Sequence, residues 1–339
     1  MSEANPNRCE GGADRSGTDP VVRVEDLVVE FSTEKGRIRA VDGISFSVMP
    51  GEPVGIVGES GCGKTVTALS VLKLIPSPPG RIARGQVFLD GKDVVPLGER
   101  EMRRLRGNVA SMIFQEPMTA LNPVFTIGGQ MTEILRIHRR MSRREAREHS
   151  IEMLHTVNIE SPAKRFTQYP HELSGGMRQR VMIAMALSCD PKLLLADEPS
   201  TALDVTVQAQ VMEEIRRLQE ERRMSMILIT HDLGVIAETC RRVIVMYCGK
   251  IVEVSDTRGL FAHPRHPYTS GLLASIPKVR EKKIERLPTI KGMVPDLADL
   301  PKGCRFADRC PKATARCREN EPGLVEVSPG QQVACFYPD

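Results

Sequence analysis

The sequence has no run of about 18 apolar residues, the length a membrane-crossing helix requires, so no segment reads as a transmembrane span. It also lacks a charge excess: 47 Lys and Arg stand against 43 Asp and Glu, a net charge of +4. Binders of DNA or RNA carry a strong basic footprint, and this near balance argues against one. The first twenty residues, MSEANPNRCEGGADRSGTDP, contain no apolar core of the kind a signal peptide has, and residues 1–20 read as a polar, disordered tail. No internal repeat is visible. None of the nine cysteines forms a C-x2-C pair, the short spacing that zinc ribbons favour.

What is present suffices for one large domain with an extension, or for two domains: 339 residues, of which 41% are hydrophobic. Residues 21–50 alternate (Val22, Val24, then Leu27, Val29, Phe31, later Ile44, Phe46, Val48), the pattern of half-buried strands in an antiparallel sheet. PVGIV (53–57) is a short apolar strand, and residues 64–75 read as a helix stopped by PSPPG. The stretch from about 115 to 188 is helical in pattern, with Ser142 and Glu145 spaced as a capping box. KLLLADEP and MSMILIT are continuous apolar runs, as in buried parallel strands. Val207, Val211, Ile215 and Leu218 mark a helix between them, and VIVMYCGKIVEV reads as a hairpin turning at Gly249-Lys250. Beyond about 260 prolines and cysteines multiply and periodicity fades, which suggests a separate appendage.

GESGCGKT fits G-x-x-x-x-G-K-[ST], here Gly58, Glu59, Ser60, Gly61, Cys62, Gly63, Lys64 and Thr65, between a strand and a helix as the motif requires. Its glycines let backbone N–H groups face phosphate oxygens, and the helix start adds partial positive charge. Lys64 supplies a cation to the β- and γ-phosphates of a nucleotide, and the Thr65 hydroxyl can ligate Mg2+. LLLADEP puts Asp197 at the C-terminal edge of a central strand, where open α/β sheets bind ligands. Asp197 suits Mg2+, and Glu198 beside it suits orienting and polarising a water. A second glycine pair occurs in HELSGGMRQR, at Gly175 and Gly176, behind Ser174. It opens a helix but has no lysine and no metal ligand, so it is half of an anion clamp rather than a second nucleotide site.

With these residues in hand the chain resembles the ATP-binding cassette ATPases of ABC transporters over about residues 21–260. Their markers occur here in order: GESGCGKT, Gln115 in IFQEP, LSGGMRQR, LLLADEP, STALD and THD. The resemblance implies an α/β fold, a P-loop NTPase nucleotide-binding domain with a RecA-like core, an antiparallel β subdomain and a helical subdomain at about 115–188. It also implies that two cassettes pack head to tail and that ATP is sandwiched between the phosphate loop of one and LSGG of the other. Ser174, Gly175 and Gly176 would then meet a γ-phosphate held by the partner, and Asp204 in STALD would bridge to the opposite subunit. Gln115 would reach Mg2+ and the attacking water and sense the membrane subunits; His231 would contact the γ-phosphate. For Phe31 two readings stand open, stacking on adenine or packing as a core residue. The signature continues MRQR where many members have QQQR or QRQR, outside the phosphate-touching residues. Every catalytic position has the expected residue type, so an active ATPase is expected rather than a regulatory subunit without turnover.

HPRHPYTSGLL (263–273) and the cysteine-rich stretch 303–339 resemble the C-terminal region of dipeptide and oligopeptide importer ATPases, a group that includes nickel importers. This implies a small Cys-rich extension over 261–339, two membrane permeases, an extracytoplasmic binding protein and a second ATPase, either a related chain or a copy. The expected place is the cytoplasmic face of the inner membrane, peripherally. Cys304, Cys310, Cys317 and Cys335 fit a [4Fe–4S] cluster, zinc or free thiols by spacing; the resemblance favours the cluster. The run RIHRRMSRREAR (136–147) could meet acidic headgroups or permease loops, or be a solvated helix face. A soluble ABC mechanoenzyme of DNA or ribosomes is the rival class; it commonly has two fused cassettes or coiled-coil arms, which are missing here.

Overall fold

The structure, a computed structural model, describes residues 19–34, 36–115, 120–200, 204–276 and 289–339. Nearly all of the N-terminal tail expected over 1–20, with Cys9, lies outside the described residues. So do Thr201, Ala202 and Leu203 of STALD.

The alternating residues form β1 (Val22–Thr33) and β2 (Gly36–Val48), antiparallel, with Val22 opposite Val48 and Phe31 opposite Ile38. PVGIV forms β3 (Pro53–Val57), buried at every position, and runs into α1 (Lys64–Val71). That helix ends four residues short of the expected Ile75, because Lys73 turns left-handed at φ 50°. Two strands that the sequence pattern did not reveal, β4 (Gly80–Leu89) and β5 (Lys92–Asp93), complete a sheet in the order β2-β1-β4-β5. After α2 (Glu99–Leu105) comes β6 (Ala110–Ile113).

The helical region comprises α3 (Ile127–His138), α4 (Arg143–Thr156), α5 (Pro162–Arg165) and α6 (Gly175–Leu187). The capping box is present: the Ser142 N–H donates to Glu145 Oε2 at 2.8 Å, and the Glu145 N–H donates to Ser142 Oγ at 3.3 Å. It splits the arginine run between the end of α3 and the start of α4, so the run is not one helix face.

The buried runs form β7 (Leu193–Asp197) and β8 (Ser225–Ile229), joined by α7 (Val205–Arg222). Then follow α8 (Leu233–Thr239) and the hairpin β9 (Arg242–Tyr247) and β10 (Lys250–Asp256). The hairpin turns at Cys248-Gly249, one residue earlier than the glycine-lysine reading. Both are left-handed, φ 44° and 81°, as a two-residue hairpin turn demands.

The last segment is not a separate appendage. Beyond α9 (Thr257–Ala262), α10 (Pro267–Ala274) and α11 (Ala315–Glu319), it contributes β11 (Val325–Ser328) and β12 (Gln331–Val333). Among the described residues the large sheet has eight strands in the order β11-β12-β10-β9-β3-β8-β7-β6. Five of them, β9-β3-β8-β7-β6, are mutually parallel. Phe306 and Tyr268 of the extension are buried in the same core as Val181, Leu194 and Val245. Composition changes after residue 260, but the hydrophobic core does not stop there.

Candidate active site

Four neighbouring parallel strands end side by side at the C-terminal edge of the sheet, and each delivers a predicted side chain. β3 leads into the phosphate loop, β8 into His231, β7 ends on Asp197 before Glu198, and β6 leads to Gln115. In open parallel sheets this is the edge where ligands bind.

The phosphate loop wraps around its own lysine. Lys64 Nζ donates to the carbonyls of Gly58 (2.8 Å) and Glu59 (3.0 Å) and lies 3.8 Å from Cys62 Sγ. The loop's glycines are obligatory at two positions. A Cβ on Gly58 would fall 2.2 Å from the Met246 carbonyl oxygen, and one on Gly63 would fall 2.4 Å from that of Ala40. Gly63 also has φ 100° and precedes α1 without a side-chain cap, so the first amides of the helix are not capped by its side chain.

The Thr65 hydroxyl donates to Asp197 Oδ1 at 3.1 Å. Burial pushes the Asp197 carboxyl above its ordinary range; the Thr65 hydrogen bond and Lys64 oppose that, and Glu198 adds to it. A buried carboxylate beside a hydroxyl is a set of hard oxygen donors that a divalent cation satisfies, so these residues fit Mg2+. Glu198 is joined to two of the other expected residues: it accepts from Gln115 Nε2 at 3.1 Å, and its Oε1 lies 3.4 Å from His231 Nδ1. Its backbone is left-handed, φ 47°, while its N–H donates to Ile229 O of β8 at 2.8 Å. A non-glycine residue held at positive φ is a strained conformation that recurs at functional sites.

Other predicted residues sit elsewhere. Ser174 caps α6, its Oγ accepting from the Met177 N–H at 3.3 Å, and Asp204 caps α7 by accepting from the Val207 N–H at 3.0 Å. The two helix starts meet: a Cβ on Gly176 would lie 2.8 Å from Val207 Cγ1. Ser174, Gly175 and Asp204 are exposed. Phe31 is half-buried and packs on the core beneath the small sheet, where a Cβ on Gly80 would lie 2.7 Å from its ring.

The four clustered cysteines line one cavity of about 20 Å3 together with Phe306 and Phe336. Cys335 Sγ accepts the Tyr337 N–H at 3.4 Å, and backbone amides of Phe306 and Lys312 likewise serve Cys304 and Cys310. Burial raises the Cys304 thiol to about 11. The expectation of a metal centre finds no support here: among the described residues no three His, Cys, Asp or Glu are grouped to hold a metal ion.

Sequence reasoning missed two residues that touch the phosphate loop. The Glu59 N–H donates to Tyr268 Oη at 2.8 Å, and Arg309 donates to both Glu59 carboxylate oxygens at 2.6 and 2.9 Å. They lie 209 and 250 positions away, beyond the reach of any local pattern.

Comparison with known proteins agrees with this geometry. The family model "ABC transporter" matches residues 41–201, and that of the "Oligopeptide/dipeptide transporter, C-terminal region" matches 252–317. The chain is 51% identical to the oligopeptide transport ATP-binding protein AppD of Bacillus subtilis, over 93% of this chain and 96% of that protein. It is 48% identical to the dipeptide transport ATP-binding protein DppD of Escherichia coli, over 94% and 97%. Its fold matches the dimeric, post-hydrolysis ATP-binding cassette MJ0796 bound to ADP and Pi. There the TM-score is 0.64 with 28% identity, covering 70% of this chain and 99% of that one. With the strand-edge constellation, these likenesses establish that the chain belongs to the ATP-binding proteins of ABC transporters, in the branch that has the oligopeptide/dipeptide C-terminal region.

Proposed function

We propose that this chain is the ATP-hydrolysing subunit of an importer for dipeptides or oligopeptides, working as one half of a cassette pair beneath two membrane permeases. The observation that carries the reading is the meeting of Lys64 and Thr65, Asp197 and Glu198, Gln115 and His231 at one sheet edge. The loop from Gly58 to Thr65 cradles the phosphates, and Lys64 exchanges loop carbonyls for phosphate oxygens. Thr65, Asp197 and Gln115 would hold Mg2+, which neutralises phosphate charge when bound. Glu198 orients the attacking water and accepts its proton, and Gln115 and His231 hold the Glu198 carboxylate in place. Phe31 stands as the residue proposed to stack on adenine.

Ser174, Gly175, Gly176 and Asp204 serve the partner's nucleotide. The exposure of Ser174, Gly175 and Asp204 supports this, since an exposed helix start faces what docks on it. ATP then favours the closed pair by the contacts that only the closed pair offers, and hydrolysis removes them. The pair is read as two related chains, with a copy of this chain as the alternative.

Contact with the permeases is supported by a groove of about 310 Å3 lined by Leu72, Leu74, Phe114, Leu121, Ile134 and Met182, adjoining Gln115. Phe114, which lines it, and Phe125 are 42% and 57% exposed, an unusual display of large apolar rings. Among the described residues no helix is long and apolar enough to cross a membrane. Peripheral placement at the cytoplasmic face of the inner membrane, an extracytoplasmic binding protein as the source of cargo, and no nucleic-acid partner complete the reading. For the four cysteines a [4Fe–4S] cluster is the proposal, resting on the one cavity they line, although no three of the described ligand-type residues are grouped there to hold a metal. A colourless, iron-free, fully folded anaerobic preparation would end it.

The test is Glu198→Gln in the full chain with its partners. Turnover should fall about 10²–10⁴-fold while nucleotide binding persists and ATP-bound pairs accumulate. Unchanged turnover would favour a regulatory subunit instead.

A further inference from the structure

All three polar groups of Glu59, the first variable residue of the phosphate loop, are engaged, and they point in two directions. Its carbonyl accepts from Lys64 Nζ at 3.0 Å. Its N–H goes to Tyr268 Oη at 2.8 Å, and its carboxylate takes both arms of the Arg309 fork at 2.6 and 2.9 Å. One residue thus links the lysine that meets phosphate to the C-terminal extension.

The extension's end of this link is rigid. The Arg309 side chain is 5% exposed and also donates to Tyr247 Oη at 3.3 Å and to Lys291 O at 3.2 Å. Tyr247, Tyr268 and Phe306 form one buried ring cluster with centroids 4.7 to 5.4 Å apart. Arg309 adjoins Cys310, on the loop whose other end, Cys304, bonds through its N–H to Cys317 O at 2.7 Å. A bidentate guanidinium–carboxylate pair fixes orientation as well as distance. A surface ion pair would contribute little; a pair nine-tenths desolvated on the arginine side is costly to break.

We propose that Arg309 and Tyr268 are positioning residues for the phosphate loop, so that the cysteine-rich extension sets the affinity of the cassette for nucleotide. Without them the Glu59 peptide is free to rotate, Lys64 loses a fixed partner, and the loop must be ordered by the nucleotide itself, which weakens binding. This rests on the reading of Gly58–Thr65 as the phosphate site.

The experiment titrates the full-length chain with mant-ADP, which reads the phosphate loop of a single subunit without hydrolysis or pairing. Arg309→Met and Glu59→Gln should each raise Kd about tenfold, and the double variant should be no worse than either, as coupled neighbours behave. Tyr268→Phe keeps the ring packing and loses only the hydroxyl, and should raise Kd about threefold. In steady state with the assembled pair, Arg309→Met should raise KM for ATP more than it lowers kcat, and Arg309→Lys, keeping the charge without the fork, should fall between. Wild-type Kd in Arg309→Met, or a double variant whose effect is the product of the singles, overturns the proposal. If Arg309→Met does not fold, Glu59→Gln and Tyr268→Phe decide it by the same criterion. If Lys64→Ala binds mant-ADP as wild type does, the phosphate-site reading itself fails and the brace with it; loss there with no change in the other variants rejects the brace alone.

Discussion

The chain has two glycine-rich helix starts, and they are built differently. At Gly63 the backbone is left-handed, no side chain caps the helix, and Lys64 turns back into the loop. At Ser174 the backbone is extended, the serine caps its own helix through Met177, and the glycines lie at the surface. The first is enclosed by its own chain; the second is open, and in the proposed pair it would gain a ligand only when the partner docks on it. Glycine content says little by itself. What separates them is whether the amides are enclosed by the same chain or presented outward.

The comparison breaks most visibly through its two key side chains. Lys64→Ala should abolish mant-ADP binding to a single subunit and cut turnover about a thousandfold. Ser174→Arg should leave mant-ADP binding unchanged and still cut turnover of the assembled pair about a hundredfold, because in the proposed pair the lost contact is made across the interface. If Ser174→Arg weakens ADP binding by the isolated chain, the two loops belong to one pocket and the contrast is wrong.

Smaller effects sharpen it. His266 caps α10, its Nδ1 accepting the Tyr268 N–H at 3.0 Å, and burial lowers its pKa from 6.5 to about 4. A base held neutral in this way supports the fold above its unfolded pKa, and that support is lost as pH falls from about 6.5 toward 4. The extension should therefore loosen in that window by roughly 3 kcal/mol at most, and His266→Asn should flatten the dependence of Tm on pH. Asp197 has the opposite sign: a carboxyl raised above its unfolded value favours the folded chain at low pH and opposes it once ionised. At neutral pH Asp197→Asn should then raise Tm while abolishing Mg2+-dependent hydrolysis. An unchanged or lower Tm would mean that the buried carboxylate is already compensated.

The strand-edge constellation was legible in the sequence because each part is a local pattern. PVGIV and LLLAD are short apolar runs, and their motifs follow within a few residues. Glu198 and His231 follow two such runs; Gln115 is placed by the resemblance alone, its strand β6 going unread, and the parallel order of β6, β7 and β8 brings the three together. What stayed hidden was long-range. β4 has exposed arginines at positions 81 and 84 that blur its alternation, and only pairing with β1 makes it a strand. The extension read as separate because prolines and cysteines erase periodicity, yet Phe306 and Tyr268 are core residues. Arg309 and Tyr268 carry no local signal of their contact with Glu59. HPYT marked a resemblance, not a bond.

Glu253 and Val254 of β10 pair with Val333 and Gln332 of β12, and among the described residues only the mostly exposed β11 lies beyond β12. A chain cut after residue 260 would leave the Lys250–Asp256 strand as a naked edge carrying Ile251, Val252 and Val254, a template for fibrous stacking of one molecule on the next. Dissecting this protein at the point where its composition changes should yield insoluble material.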